Sequence, residues 1–161
     1  MGKREFNQKA YDVCDNPAKV RLVELIEATS DYKLFGDLSV ERYKAGDVLF
    51  KNGDKTVLFE NEVRQNFDTI IQKYNTVHIP IRKQNTPADF YLVWRKDFWQ
   101  FILIDKKTLR KNKNNIICNV KCNNEMSGKV SYIEDFMEIP KEETQWYLIG
   151  PNFKLTKLPY D

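Results

Sequence analysis

Gly46 to Arg64, GDVLFKNGDKTVLFENEVR, is the most informative stretch of this chain. Apolar runs flank Asn52-Gly53, a dipeptide that favours the tight turn of a β-hairpin. The pattern therefore predicts one strand over Asp47–Phe50 and a second over Thr56–Glu62, joined by that turn. Every other element of the chain can be placed by its order relative to this hairpin.

Three carboxylates converge at one end of the predicted hairpin. Asp47 opens its first strand, while Glu60 and Glu62 close the second. Side chains on a strand repeat every two residues, so the two glutamates are expected on the same face. Packing acids this closely costs free energy unless a cation neutralises them, and Mg²⁺ is the usual cation for oxygen ligands. An acidic, metal-ready hairpin in a slightly basic protein suggests phosphodiester chemistry.

Length and composition indicate one folded domain. The chain has 161 residues, of which 42% are hydrophobic and 13% aromatic, enough to bury a sizeable core. Residues 1–14 read as a polar N-terminal arm, and the domain is expected to span 1–161. A formal net charge of +3 permits nucleic-acid binding but does not require it.

Cysteine and histidine usage argues against zinc and disulfide scaffolds. Cys14, Cys118 and Cys122 are odd in number and scattered, and His78 is the single histidine. The N-terminal residues have no apolar run of the signal-peptide type, and no run approaches the roughly 18 residues of a membrane span. The sequence therefore predicts a cytoplasmic protein without a membrane partner.

The remaining segments predict an α/β (α+β) fold with a central mixed sheet flanked by helices on both sides. Helices are expected over Pro17–Thr29 and Val63–Tyr74, and a short basic helix within Lys106–Asn115. Further strands are expected over Leu38–Tyr43, Thr76–Lys83, Asp89–Trp94, Phe98–Ile104, Ile116–Val120 and Trp146–Ile149.

This order of elements, with its acids, resembles the PD-(D/E)xK nuclease superfamily, the restriction-endonuclease-like proteins. That family's core is a helix, a three-stranded meander, a second helix and a strand, which matches roughly Pro17 to Lys83 here. Asp89 to Ile104 would then extend the sheet. The resemblance implies a DNA endonuclease that uses Mg²⁺ or Mn²⁺, with Asp47 and Glu60 as metal ligands.

The family's lysine is replaced here by Glu62. The resemblance leaves Glu62 to act as a base or as an added ligand, while Lys83 or Arg82 supplies the positive charge. The family often carries a catalytic glutamate on its first helix, for which Glu24 is the candidate. Helical periodicity puts Glu24 away from the apolar face, so a solvated surface is the alternative reading.

A second register of the same motif exists further along the chain. Asp89 follows Pro87-Ala88, and Asp105 is followed two residues later by Lys107, which stands where the family has its lysine. No good helix follows this segment, whereas a complete helix–strand unit follows the first register. Asp47, Glu60 and Glu62 are therefore the favoured site.

Basic residues are the candidates for contacts to the DNA backbone, and a palindromic cut would favour a homodimer. They are Arg64, Arg82, Lys83, Lys106, Lys107 and Arg110. Trp94, Phe98, Trp99 and Phe101 are expected to pack in the sheet, with base stacking as the alternative role. Two other functions stay open: a catalytically inactive nuclease-fold module that binds nucleic acid or a protein, and an unrelated α/β adaptor with solvated acids.

Overall fold

The computed structural model describes residues 16–36, 48–64, 74–123 and 130–159. The first helix, α1, spans Asn16–Thr29 and confirms the helix predicted there. It buries Ala18, Leu22 and Leu25, whose spacing of four and then three residues forms one apolar face. A second, short helix, α2, spans Lys106–Lys111 within the basic segment, as predicted.

Ten strands make up the rest of the described fold, and most of them belong to one mixed sheet. In chain order they are β1 (Lys33–Leu34), β2 (Val48–Asn52), β3 (Lys55–Arg64), β4 (Thr76–Pro80), β5 (Phe90–Arg95), β6 (Gln100–Asp105), β7 (Ile116–Asn123), β8 (Val130–Pro140), β9 (Gln145–Ile149) and β10 (Leu155–Lys157). The large sheet has seven strands in the order β1-β2-β3-β5-β6-β9-β10. Its β3–β5 pair is parallel, and its other pairs are antiparallel.

The large sheet separates two hydrophobic cores. On one face α1 packs against side chains such as Phe59, Val63 and Trp94. The other face, which presents Tyr91 and Val93, packs against a three-stranded sheet of order β4-β8-β7 and against α2. The fold is thus mixed α+β with a mixed central sheet, but a second sheet covers much of the face where a helix was expected.

The hairpin predicted within Gly46–Arg64 is present as β2 and β3, with its turn one residue later than predicted. Asn52 pairs with Lys55 in the ladder, so the turn residues are Gly53 and Asp54. Gly53 has a φ of 60°, which only glycine adopts without a steric penalty at this turn position. The strand register nevertheless keeps both glutamates of β3 within the hairpin's second strand.

Two predictions downstream of the hairpin are wrong where the structure describes the chain. Strand β3 continues through Arg64, so no helix begins at Val63, and residues 65–73 lie outside the described part. The predicted strand Thr76–Lys83 ends at Pro80 and becomes a 3₁₀ turn over Ile81–Lys83. Proline lacks an N–H donor, and β4 finds its partner in β8 of the smaller sheet instead of beside β3.

The later hairpin was predicted more closely. The two strands expected over Asp89–Trp94 and Phe98–Ile104 are β5 and β6, paired antiparallel. Strand β6 begins at Gln100 and not at Phe98 as predicted; Phe98 has a left-handed φ of 60°, which does not fit a strand. The predicted strand Leu38–Tyr43 lies outside the described residues. Within those residues, no helix is long and apolar enough to cross a membrane.

Candidate functional site

The side chains of Glu60, Glu62 and Arg64 lie on one face of β3. Their neighbours Phe59 and Val63 belong to the core beneath α1, and side chains alternate along a strand. The three charged groups therefore point toward the smaller sheet. Asp47, the metal ligand expected from the sequence, lies outside the described residues; it directly precedes β2, whose first residue pairs with Phe59.

Glu60 is buried, with 4% of its surface exposed, and both of its carboxylate oxygens accept hydrogen bonds. Lys83 donates from Nζ to Oε2 at 2.6 Å, and Thr86 donates from Oγ1 to Oε1 at 3.1 Å. The 3₁₀ turn that ends β4 carries Lys83 to this position. A charge this deeply buried is stable only when paired and hydrogen-bonded, and both conditions are met here.

Glu62 is held by different partners. Arg64 donates from Nε to Oε1 at 2.7 Å, and the buried Tyr91 hydroxyl donates to Oε2 at 2.5 Å. Burial raises the pKa of Glu62, but attraction to Arg64 and the two hydrogen bonds outweigh it, so the pKa lies below its ordinary value. Glu62 is consequently an ionised carboxylate whose charge is already balanced by the Arg64 guanidinium.

Arg64 and Tyr91 complete this second cluster. Arg64 also donates to the carbonyl oxygen of His78 in β4, so its guanidinium bridges the two sheets. Burial alone would lower the pKa of Arg64, but Glu62 raises it above the ordinary value. Burial and the charge of Glu62 raise the pKa of Tyr91 well above its usual range, which keeps the phenol protonated as a donor.

The candidate on the first helix is remote from the glutamates of β3. Glu24 is exposed and pairs with Arg21, one turn earlier on α1, at 3.2 Å. Since α1 packs on the face of the large sheet opposite to Glu60, the sheet lies between them. The neighbouring Glu27 accepts a hydrogen bond from the backbone N–H of Leu34 at 3.0 Å, which ties β1 to the helix.

The acids of the second register have backbone roles. Asp89 accepts a hydrogen bond from the N–H of Leu58 at 2.9 Å, where β5 joins β3. Asp105 is the N-cap of α2 and accepts from the N–H of Thr108 at 2.7 Å, while Lys107 is exposed. Asp105 therefore satisfies an orphan donor of the helix, which explains its place in the sequence without any metal.

The basic residues expected at DNA divide into two groups. Arg82 pairs with Glu134 at 2.9 Å, and Lys106 donates to the carbonyl oxygen of Pro87 at 3.1 Å. Lys107 and Arg110 on α2 are exposed. Lys107 and Arg110 can therefore meet a phosphate directly, whereas Arg64 and Lys83 are engaged with the glutamates of β3.

Capacity for a cation differs between the two glutamates. No group of three or more histidine, cysteine or acidic side chains that could hold a metal occurs within the described ranges. A carboxylate oxygen has two lone pairs, so Glu60 can donate one to a cation while it accepts the hydrogen bonds from Lys83 and Thr86. Lys83 has a flexible side chain that is 26% exposed, so its ammonium can move away from Glu60. Arg64 is held in place by both Glu62 and the carbonyl oxygen of His78. A cation at Glu60 would therefore need Lys83 to move away and further oxygen ligands to join.

Two partners of the β3 glutamates were not predicted from the sequence. Tyr91 donates to Glu62, and Thr86 donates to Glu60. Tyr91 reaches β3 because β5 pairs with it in parallel, a neighbour relation that no local pattern encodes. The contact between Arg64 and Glu62 could have been predicted from the sequence, because the two residues are of opposite charge and two apart on one strand.

Comparison with known proteins does not indicate a family for this chain. No protein-family model matches the sequence, and no curated protein matches it significantly. The resemblance to PD-(D/E)xK nucleases therefore stays a prediction. Function has to be inferred from the side chains around Glu60 and from the order of the strands.

Proposed function

We propose that this chain is a metal-dependent endonuclease that hydrolyses DNA phosphodiester bonds, with Glu60 and Lys83 at its centre. The single observation that carries the proposal is the 2.6 Å contact between Lys83 Nζ and Glu60 Oε2. PD-(D/E)xK enzymes place a lysine beside the metal-binding acid, and Glu62 occupies the usual position of that lysine. The ammonium of Lys83 supplies the same charge from another element.

The order of the strands supports the proposal. Helix α1 precedes the antiparallel strands β1, β2 and β3, and β5 then lies beside β3. The family resemblance implies a helix, a three-stranded meander, a second helix and a strand; the second helix, expected from Val63, does not begin there because β3 continues through Arg64. Strand β5 takes the last place, and β4 is a departure because it joins the smaller sheet.

The chemistry follows from the groups present. A Mg²⁺ or Mn²⁺ ion held by Glu60, with Asp47 as the second carboxylate, would polarise the phosphate and acidify a bound water. Lys83 stabilises the negative charge that develops on the phosphate oxygens, because its ammonium already lies beside Glu60. Thr86 holds the orientation of the Glu60 carboxylate. Glu62 is hydrogen-bonded to Arg64 and Tyr91, so it holds β3 against its neighbours and does not accept the proton of the attacking water.

The setting proposed for the enzyme is the cytoplasm, and its partner is DNA. Lys107 and Arg110 on α2 are the exposed cations for the phosphate backbone. A palindromic cut needs two active sites related by a two-fold axis, so a homodimer is the form proposed for cleavage of both strands.

A second function is favoured by the burial of Glu60. With 4% of its surface exposed and its charge neutralised by Lys83, the carboxylate is poorly accessible. A nuclease-fold module without cleavage, which binds nucleic acid or a protein, would have this property. It predicts DNA binding that is unchanged by metal and by Glu60→Gln.

Nicking of supercoiled plasmid tests the proposal. The natural protein should nick with Mg²⁺ or Mn²⁺ and lose activity with a chelator. Glu60→Gln and Lys83→Met should each lower the rate by at least about 100-fold, the scale of one electrostatic group in a transition state. Lys83→Arg should retain part of the rate because it keeps the charge.

The matched control is Glu142→Gln, an exposed glutamate of the 3₁₀ turn after β8. Its rate should equal that of the natural protein. Equal nicking by Glu60→Gln and Glu142→Gln, with both variants folded by circular dichroism, would refute the proposed site. Absence of nicking by the natural protein across plasmid and single-stranded substrates would favour the binding module.

A further inference from the structure

A separate cluster at the end of β5 combines an arginine with aromatic rings. The guanidinium carbon of Arg21 lies 4.9 Å from the centroid of the Trp99 ring and 4.8 Å from that of Phe153. Arg21 also donates from Nε to the carbonyl oxygen of Phe98 at 3.2 Å. Both distances are within the range of cation–π attraction, so the arginine holds the two rings in place.

Trp99 is the unusual member of this cluster, which we call the Trp99 cluster (Arg21, Phe98, Trp99 and Phe153). It is 50% exposed, whereas Trp94 and Trp146 are 0% and 1% exposed. A tryptophan is among the most costly side chains to leave in water. The sequence-based expectation that Trp99 packs in the sheet is wrong, because the turn that ends β5 carries it to the surface.

Backbone strain concentrates at the same place. Within the described residues, four non-glycine residues have positive φ, and three of them are Phe98, Asn152 and Phe153 at 60°, 54° and 57°. A left-handed conformation is an outlier for a bulky residue such as phenylalanine. Strained conformations persist where surrounding structure enforces them, and they cluster at functional sites.

The charged residues around the cluster are mainly cationic, although Arg21 is paired with the exposed Glu24 at 3.2 Å. Lys96 in the β5–β6 turn and Lys154 next to Phe153 are both exposed. The nearby carboxylate of Asp97 is already engaged by Arg95, with an Nη2–Oδ2 distance of 2.5 Å. A ligand that suits this surface must carry flat π faces and negative charge together.

We propose that the Trp99 cluster binds single-stranded nucleic acid by stacking an unpaired base on Trp99. Unpaired bases offer their π faces, and their phosphates match Lys96 and Lys154, which is the usual combination in proteins that bind single strands. A duplex hides its base faces by stacking and pairing them. This inference rests on the proposed function, in which the substrate is a nucleic acid.

The Trp99 cluster and Glu60 lie on opposite faces of the large sheet, because Arg21 belongs to α1 whereas Glu60 points toward the smaller sheet. Tyr91 is the register partner of Glu60, and Arg95 ends the same strand beside the cluster. Four residue steps along β5 span about 13 Å. The sheet and this distance therefore separate the Trp99 cluster from the proposed cleavage centre, so a single strand bound at Trp99 does not have to enter that centre.

Binding to oligothymidine in a chelating buffer tests the inference without cleavage. Tryptophan fluorescence should be quenched, since Trp99 is the exposed indole among the three. Anisotropy of a labelled oligothymidine gives the affinity of the variants. Trp99→Ala should weaken binding by roughly 5- to 150-fold, the range for loss of one base–aromatic stack, and Trp99→Phe should retain most of it.

Phe35→Ala is the matched control. Phe35 is also an exposed ring, 46% exposed, with Lys51 Nζ 3.9 Å from its centroid. Equal weakening by Phe35→Ala and Trp99→Ala would overturn the inference, as would unchanged affinity in Trp99→Ala. Thermal unfolding of each variant shows whether it has folded. If Trp99→Ala has not folded, the affinity of Trp99→Phe for oligothymidine tests the inference in its place.

Failure of this inference is distinguishable from failure of the proposed function. Metal-dependent nicking that needs Glu60, with oligothymidine affinity unchanged in Trp99→Ala, would refute the Trp99 cluster alone. Trp99-dependent binding of oligothymidine without any nicking would support the cluster and refute the endonuclease.

Discussion

Removal of the Lys83 ammonium should destabilise the fold by leaving the Glu60 carboxylate buried without a counter-charge. Lys83→Met keeps most of the apolar stem, so the change isolates the charge. Breaking a buried ion pair by deleting one partner costs about 3–5 kcal/mol. The Lys83 side chain is 26% exposed, and water can partly replace the ammonium, so the expected loss is about 2–3 kcal/mol.

Urea unfolding at pH 7, followed by circular dichroism, measures this loss as a change in the free energy of unfolding. The double variant Glu60→Gln/Lys83→Met removes both charges and should be more stable than Lys83→Met alone. Lys107→Met is the matched control, because Lys107 is exposed and should change stability by no more than about 0.5 kcal/mol. A Lys83→Met loss as small as that of the control would refute the Lys83–Glu60 pair.

Two further predictions concern the neighbouring acids. Glu62 has a folded pKa below its ordinary value of 4.5, so its stabilising contribution is full above that value and is lost as pH falls through the folded pKa. The loss of stability in Glu62→Gln should therefore be largest near pH 7 and shrink below pH 4.5, as urea titrations at several pH values would reveal; a loss independent of pH would contradict the ion pair with Arg64. Asp105→Ala removes the N-cap of α2 and should cost about 1 kcal/mol with no change in nicking; loss of nicking in a stable Asp105→Ala protein would move the site to the second register.

The elements whose partners are local were predictable from the sequence. Alternation of side chains and a glycine turn located the β2–β3 hairpin, and helical spacing located α1. The same alternation put Glu60 and Glu62 on one face. These patterns are set by two or three neighbouring residues, which is why the sequence carries them.

The elements whose partners are distant were not predictable. The apolar residues of β4, such as Val77 and Ile79, show that the strand is half buried but not which strand it joins. Its pairing with β8 depends on a segment about sixty residues later. In that segment Glu134 and Glu138 interrupt the apolar pattern that would predict a strand. Glu134 forms an ion pair with Arg82, and Glu138 lies within hydrogen-bond distance of His78, so these partners are seen only in the assembled fold.

The contacts of the candidate site were likewise predictable only where they depend on nearby residues. The sequence suggested Lys83 or Arg82 as a replacement for the missing lysine, and the structure brings Lys83 to Glu60 while Arg82 pairs with Glu134. Tyr91 could not be foreseen, because its contact with Glu62 follows from the parallel β3–β5 pairing. Asp47 lies outside the described residues, and its role as a ligand stays a prediction.

Metal-dependent nicking of supercoiled plasmid by the natural protein, beside Glu60→Gln and Asp105→Asn, distinguishes the two candidate sites. We expect nicking that requires Mg²⁺ or Mn²⁺, disappears in Glu60→Gln and persists in Asp105→Asn. Nicking that persists in Glu60→Gln but disappears in Asp105→Asn would contradict the claim that Glu60 and Lys83 form the cleavage centre.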